Sequence, residues 1–347
     1  MKIVINGRFL TQRITGVQRY AREILAELDK IIAPNEILLA TPPDTNDIPE
    51  YKNINVITMG RFHNLLWELI SFPSYLRKIN GTALNFCNVA PFFVRPGITV
   101  IHDIIYKLKP SYYTTFRNRI SRYWHIFQYS YICRHEGKII TVSEFSKQEI
   151  EKYYPKSKGK ITVISNAWQH VVKYAENKDW HLKYPFLTDK QFFFSLATLS
   201  SNKNAKWIIE VAEKNPNYTF AIAGKAYERK HKKIPSNVYL LGYVTDEDVC
   251  SLIKHCRAFI FPSLYEGFGL PPLEALALGA EVISSNATSL PEVLGNAVYY
   301  INPENASLDI GKIFEKNVDD SREVLSRYSW EKSAGILYEV IKNISEI

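Results

Sequence analysis

Two doubly wound α/β domains are what this sequence predicts, on three observations. Short apolar runs of strand length alternate with helical patterns, the pattern of parallel strands joined by crossover helices. The alternation breaks down over residues 167–190 and then restarts, so the architecture is repeated. At 347 residues and 46% hydrophobic content the chain is long enough for two such units and is not of disordered composition.

Taken in order, Lys2 to Asn6 reads as a first strand, followed by a loop through Gly7 and Gly16. A helix then carries Val17, Tyr20, Ile24, Leu28 and Ile31 on one face. Further strands are expected at Glu36–Ala40, Asn55–Thr58, Ala83–Phe86, Thr99–Ile101, Lys138–Val142 and Lys160–Ile164. After the break, strands are expected at Phe192–Leu196, Tyr218–Ala223, Val238–Leu241, Ala258–Phe261, Glu281–Ser284 and Val298–Ile301. Helical patterns at Ala205–Lys214 and Asp246–Lys254 lie among them. Ser329 caps a last helix with Trp330, Ala334, Leu337, Tyr338 and Ile341 on one face. The domains are therefore drawn as residues 1–170 and 171–328, with 329–347 as a separate closing segment, and a small ligand is expected in a cleft between the two domains.

Parallel sheets take ligands at the carboxyl ends of their strands. His102-Asp103 stands at such an end, where it either closes a turn or meets a ligand, and Ser143 and Asn166 hold corresponding places. Gly16 is read either as a tight turn or as a point where a diphosphate comes close to the backbone. Lys203, in T-L-S-S-N-K-N, falls near a helix N-terminus.

The most informative stretch is Arg257 to Glu274, R-A-F-I-F-P-S-L-Y-E-G-F-G-L-P-P-L-E. A buried strand runs into a turn at Gly267 and Gly269, and Pro271 and Pro272 suit the first turn of a helix beginning near Leu273. Such a junction aims backbone N–H groups at an anion. Glu266 and Glu274 bracket it, either as paired pocket carboxylates or as an ordinary loop acid and a first-turn helix acid.

The formal net charge of +8 calls for an anionic partner without naming it. Cys87, Cys133, Cys250 and Cys256 form no C-x-x-C pair and lie among apolar residues, which predicts reduced thiols and a cytosolic setting. Neither a signal-peptide core nor an apolar run of roughly 20 residues is seen, so a membrane, if one matters, is bound at its surface. The pattern F-R-N-R-I-S-R-Y-W-H-I-F-Q-Y-S-Y-I-C-R over Phe116–Arg134 is helical. Phe116, Ile120, Trp124, Phe127 and Tyr131 share a side, with Arg117, Arg119, Arg122 and Arg134 among them. It reads either as a core-facing helix with a basic flank or as a surface for anionic lipid. No nucleic-acid recognition motif accompanies it. Asp246-Glu247-Asp248 resembles a cation-chelating D-x-D but follows Thr245 at a helix start, where acids complement the dipole; no metal and no cofactor are expected.

These segments resemble the retaining glycosyltransferases of family 4, whose two Rossmann-like domains form the GT-B arrangement. F-P-S-L-Y-E-G-F-G-L-P-P-L-E-A-L-A-L-G-A-E-V-I-S-S looks like the donor-binding segment, and S-L-P-E-V-L-G-N-A-V-Y-Y-I-N-P its continuation. The likeness extends to G-V-Q-R-Y, V-I-H-D, T-V-S-E-F-S-K and Y-S-W-E-K-S-A, and among relatives it points to bacterial O-antigen and capsule enzymes. It implies that Glu274 holds the nucleotide ribose and Glu266 the donor sugar. Gly267, Phe268, Gly269 and Leu270 would surround that sugar and its phosphates. Gly16 and Lys203 would meet the diphosphate, and His102 would lie beside the reacting sugar. The last helix would cross back to the first domain. One departure is that Asn202 stands where many relatives carry an arginine, so either Lys203 suffices with backbone amides or another cation such as Lys206 or Lys225 reaches in.

The activity implied is metal-independent, retaining transfer of a hexosyl group from a UDP- or GDP-linked donor. The acceptor would be a saccharide hydroxyl, expected to be lipid-linked, at the inner face of a bacterial membrane. Arg117, Arg119, Arg122 and Trp124 mark the membrane or acceptor side. Three alternatives remain: a nucleotide-sugar epimerase or hydrolase of the same fold, an inactive nucleotide-sugar-binding subunit, and a dinucleotide oxidoreductase. The last lacks its G-x-G-x-x-G.

Overall fold

A computed structural model describes residues 2–94, 97–135, 137–188, 190–197, 201–224 and 234–345. The chain forms two compact units, one of residues 1–166 with 329–347 and one of residues 167–328.

The first unit is built on a parallel sheet of β1 (Lys2–Asn6), β2 (Ile37–Thr41), β3 (Asn55–Thr58), β4 (Gly81–Asn85), β5 (Gly97–Val100), β6 (Gly137–Thr141) and β7 (Ile161–Val163). Their spatial order is β3-β2-β1-β4-β5-β6-β7. The order reverses direction between β1 and β4, which pair in parallel register with Val4 opposite Ala83. Ile3, Val4 and Ile5 are buried on both faces of the sheet, which explains why β1 reads as a continuous apolar run. One core layer joins Val4, Leu38 and Ala83 to Trp67, Phe72 and Leu76; another joins Ile101 and Ile139 to Tyr129, Ile132 and Ile150.

In the second unit β8 (Phe192–Leu196), β9 (Thr219–Ala223), β10 (Val238–Gly242), β11 (Ala258–Phe261), β12 (Val282–Ser285) and β13 (Tyr299–Ile301) form a second parallel sheet. The order is β10-β9-β8-β11-β12-β13, and here the reversal falls between β8 and β11. The core sets Phe193, Phe220 and Ile260 against Trp207, Ile208 and Val211 of the Ala205–Lys214 helix.

The structure corrects several sequence expectations. The division between units falls at 166/167, not after residue 170. Trp168 donates its indole N–H to Leu325 O at 2.9 Å and Gln169 donates to Tyr328 O at 2.8 Å, so these residues are fixed inside the second unit. The first helix, Gly16–Ile31, buries Tyr20, Ile24 and Leu28, but Ile31 is exposed and Gln18 and Asp29 are buried instead. The buried Asp29 carboxylate accepts backbone N–H groups of Lys52, Asn53 and Ile54, at 2.7–2.8 Å, and so anchors the chain entering β3.

The last helix, Trp330–Ser345, packs in the first unit. Trp330 meets the ring of Tyr20 edge-on at 5.9 Å, and Ser333 donates to Ser165 O at 2.8 Å.

The Phe116–Arg134 helix forms where expected but turns a different face inward. Gln128, Tyr129, Ile132 and Cys133 are buried, whereas Phe116, Ile120, Tyr123 and Phe127 are exposed. Periodicity fixes which residues share a face but cannot say which of two apolar faces the sheet covers. Trp124 and Tyr131 are partly covered by Phe92, at ring distances of 5.5 and 5.0 Å.

Candidate functional site

In the second unit the segments that follow β8 and β11 lie at the reversal of strand order, where open sheets bind ligands. Lys203, in the short turn Ser201–Lys203, donates from Nζ to Glu266 Oε1 at 2.7 Å. The same carboxylate accepts the Ser263 hydroxyl. Lys203 also lies over the Phe261 ring, 4.9 Å from its centroid. Sequence reasoning placed Lys203 and Glu266 separately; the structure joins them as an ion pair that keeps spare protons on the ammonium.

Asn202 has a different task from a phosphate ligand. Its carbonyl accepts Leu264 N at 2.7 Å and Ser263 Oγ at 2.9 Å, and its side chain donates to Tyr265 O at 3.3 Å. It thereby bolts the Lys203 turn to the Glu266 loop. Lys206 pairs with Glu210 at 3.5 Å on an exposed helix face. Thr198, Leu199, Ser200 and Lys225 lie outside the described residues.

The helix after β11 spans Leu270–Ala277, three residues earlier than expected, with Gly269 at its N-cap. Gly269 has φ +96°, and a Cβ there would stand 2.3 Å from Leu290 Cδ2, so any other residue would be strained and would displace Leu290. Pro271 and Pro272 carry no N–H, so amides for an anion come from the Gly267–Leu270 stretch. Gly267, Phe268, Gly269 and Leu270 are all buried, and Phe268 is held edge-on against Tyr328 at 5.3 Å.

The loop is further tied by residues that sequence reasoning did not single out. Ser289 Oγ donates to Glu266 O at 3.0 Å and to Phe268 O at 3.1 Å, and Glu266 N donates to Thr288 Oγ1 at 3.1 Å. Turning these two carbonyls toward Ser289 fixes the plane of the intervening peptides. Glu274 receives a similar brace: its Oε1 is 2.7 Å from Nε2 of His170, a ring 2% exposed. His170 was missed because it comes from the breakdown segment, where no periodic pattern marks a buried side chain.

Asp248 of the D-x-D is committed elsewhere. Thr245 caps the Asp246–His255 helix by accepting from Asp248 N, and the Asp248 carboxylate is 1% exposed. It accepts Lys183, Asn177 at 2.6 Å and Tyr184 at 3.2 Å, pinning the chain that precedes β8.

In the first unit, His102 follows β5 and is 7% exposed. Its Nε2 pairs with Phe86 O at 2.9 Å, so Nε2 carries the proton and Nδ1 keeps its lone pair. Burial lowers its pKa to about 4, with the Phe86 bond opposing, so the ring is neutral at neutral pH. Its folded pKa lies below the unfolded one. The unfolded state therefore binds the proton more readily between pH 6.5 and 4, and stability falls as pH drops through that window. The expected loss is up to about 3 kcal/mol relative to a His102→Asn variant, read from urea unfolding of both proteins across the window. Parallel acid limbs would refute it.

Gly16 is the exposed first residue of its helix, behind a Thr15–Gln18 capping box, and a Cβ there would meet nothing within 4 Å. Arg117 and Arg119 are exposed, whereas Arg122 donates to Tyr106 O at 2.8 Å and lies over the Tyr123 ring. Among the described residues no helix is long and apolar enough to cross a membrane.

Both units of the chain match known protein families. The family model "Glycosyltransferase Family 4" matches residues 14–168, and "Glycosyl transferases group 1" matches residues 176–331. A serotype-specific mannosyltransferase, WbdA of Escherichia coli, is 28% identical over 98% of this chain, which spans 44% of that relative's length. The O-antigen chain mannosyltransferase B of Escherichia coli is 27% identical over 95% of this chain and 97% of its own. Anabaena Alr3699/HepE, solved in complex with UDP and glucose, superposes with a TM-score of 0.67 at 14% identity, covering 99% of this chain and 100% of its own. The chain thus belongs to the glycosyltransferases of GT-B architecture, with a family 4 domain followed by a group 1 domain.

Proposed function

We propose that this protein transfers a hexosyl group, in the first instance mannosyl, from a nucleotide sugar to a saccharide hydroxyl during assembly of a bacterial surface polysaccharide. The Lys203–Glu266 pair at the strand-order reversal, eight residues before Glu274, carries the reading. The names of the two Escherichia coli relatives support mannosyl transfer and O-antigen, and HepE's UDP and glucose support a nucleotide-sugar donor.

Cleavage of a sugar–phosphate bond builds positive charge at the anomeric carbon and negative charge on the departing diphosphate. Lys203 and the amides of Gly267–Leu270 meet the second; Glu266 faces the first and orients the sugar. Glu274, steadied by His170, holds the ribose. This distribution needs no metal to neutralise the leaving group. The acceptor oxygen attacks on the face the nucleotide leaves, and the donor phosphate oxygen takes its proton, so configuration is retained. In the first unit, neutral His102 offers a hydrogen-bond acceptor suited to a sugar hydroxyl, and Gly16 an open stretch of backbone suited to a phosphate.

The test offers UDP- and GDP-linked hexoses with mannose oligosaccharides, in the presence and absence of EDTA, and reads the product by NMR. An α-linked product from an α-linked donor, formed with EDTA present, is expected. An inverted product, or free sugar alone, overturns the reading.

The exposed face of the Phe116–Arg134 helix favours one addition. Phe116, Ile120, Tyr123 and Phe127 repeat at helical spacing, and Phe93 beside them is 83% exposed. With Arg117 and Arg119 flanking the stripe, it suits a lipid-linked acceptor at an anionic membrane surface. Sedimentation with vesicles containing phosphatidylglycerol should fall sharply in an Arg117→Glu/Arg119→Glu variant and with added salt. Arg122 is left intact because it braces Tyr106. Binding unchanged by both treatments rejects the membrane role.

A further inference from the structure

The reversal of strand order in the first unit, between β1 and β4, holds a polar cluster to which the proposed donor chemistry assigns no task. Glu68 is 2% exposed and accepts Asn6 Nδ2 at 2.8 Å and the Arg8 guanidinium through Nη1. Asn6 Nδ2 also reaches Asn85 Oδ1 at 3.2 Å, and Asn85 continues to Thr99 Oγ1 at 3.2 Å. Asn6 and Asn85 are the last residues of β1 and β4, so the cluster stands at the carboxyl ends of the two central strands.

Two features say that packing alone does not account for it. Glu68 sits in a π-helical turn, Trp67–Ser71, a geometry that is rare and recurs at functional sites. A buried Glu–Arg pair carries a desolvation penalty that an apolar pair of equal volume avoids. Yet Arg8 Nε is buried without a hydrogen-bond partner among the described residues, while the side chain keeps 22% exposure. The guanidinium is thus held by Glu68 through Nη1, while part of the Arg8 side chain stays open to solvent.

The chemistry of the cluster selects its ligand. An anion is bound by donors alone, and a fixed buried carboxylate would repel it. A polyol offers hydroxyls that donate and accept together, which matches guanidinium, carboxylate and amides in one place. Sugar rings also stack on aromatic faces. Arg8 is near enough to His125 for its charge to add to the burial that lowers that ring's pKa. His125 stacks on Tyr106 at 4.0 Å, and Tyr106 on Tyr113 at 4.7 Å.

We propose that Arg8 binds hydroxyl groups of the acceptor saccharide, with Glu68 and Asn6 as its positioning residues. This rests on the glycosyltransferase reading above and adds an acceptor-recognising residue to it. The full chain, as wild type, Arg8→Ala, Arg8→Lys and Glu68→Gln, is titrated separately with UDP, GDP and a mannose disaccharide. Saturation-transfer NMR reads the saccharide and calorimetry the nucleotides. Expected is disaccharide binding in the wild type, loss of at least tenfold in Arg8→Ala and Glu68→Gln, partial return in Arg8→Lys, and nucleotide affinity unchanged throughout.

Absent disaccharide binding in the wild type, or binding untouched in Arg8→Ala, overturns the proposal. So does a parallel fall in nucleotide affinity, which would put Arg8 on the donor. Absence of any nucleotide binding by the wild type counts instead against the proposed function. Should the single variants fail to fold, Arg8→Met/Glu68→Leu removes both charges without leaving either buried alone, and the same titrations decide.

Discussion

Lys203→Ala is expected to give a folded protein whose turnover falls by roughly 10²–10³-fold, about 3 kcal/mol of lost transition-state stabilisation. Before the donor arrives, the ammonium is aimed by Glu266 and by the Asn202 contacts that lock its turn to the Glu266 loop. On the proposed mechanism no reorganisation is then needed when charge gathers on the leaving diphosphate, and the interaction grows as the bond breaks. For that reason the loss should fall on kcat more than on the donor KM. Stability should change little, because Ser263 still satisfies Glu266 and the lysine side chain is 22% exposed. Steady-state kinetics with a thermal melt of each protein check this. A raised KM with unchanged kcat would mean that Lys203 holds ground state and transition state alike, and its leaving-group role would be abandoned.

Glu274→Ala should weaken nucleotide binding by about 10- to 100-fold, the scale of a hydrogen bond to a charged group. Ribose recognition needs a carboxylate in one rotamer, and the buried His170 ring supplies that constraint at 2.7 Å. His170→Phe should therefore lower nucleotide affinity too, by less, without removing any atom that meets the ligand. Calorimetric titration with UDP, GDP and their 2′- and 3′-deoxy forms separates the roles. Wild type should discriminate against a deoxy form, and Glu274→Ala should have lost that discrimination. Equal discrimination in both proteins places the carboxylate away from the ribose.

Glu266 and Glu274 came from a motif that is legible because its parts are adjacent in sequence. Strand, glycine turn and helix follow within residues 257–274, and apolar strands buried on two faces stand out as continuous runs. For this reason the strand positions agree with expectation to within a residue or two at most ends. What was not legible depends on distant partners. His170 and Glu274 are 104 residues apart, and Glu68 meets Arg8 across 60, with no local pattern to announce either pairing. The aromatic helix shows a second limit, since an apolar stripe at Phe116, Ile120 and Phe127 reads as core or as lipid-facing surface alike until the opposite side is seen to be the covered one.

The Trp330–Ser345 helix, completing the first unit from the far end of the sequence, has a consequence for the order in which the protein forms. Residues 167–328 are contiguous and can close their sheet as soon as β13 has been synthesised. The first unit begins earlier but must wait: Tyr20 and Ser165 lack their contacts with this helix until Trp330 and Ser333 have been made. Synthesis order and completion order are therefore reversed, with the second unit finished first on the ribosome. Over that interval the apolar ground destined for Trp330, Ala334 and Leu337 stays open. A chain arrested before residue 330 would carry that uncovered surface permanently, a ready target for chaperones and proteases.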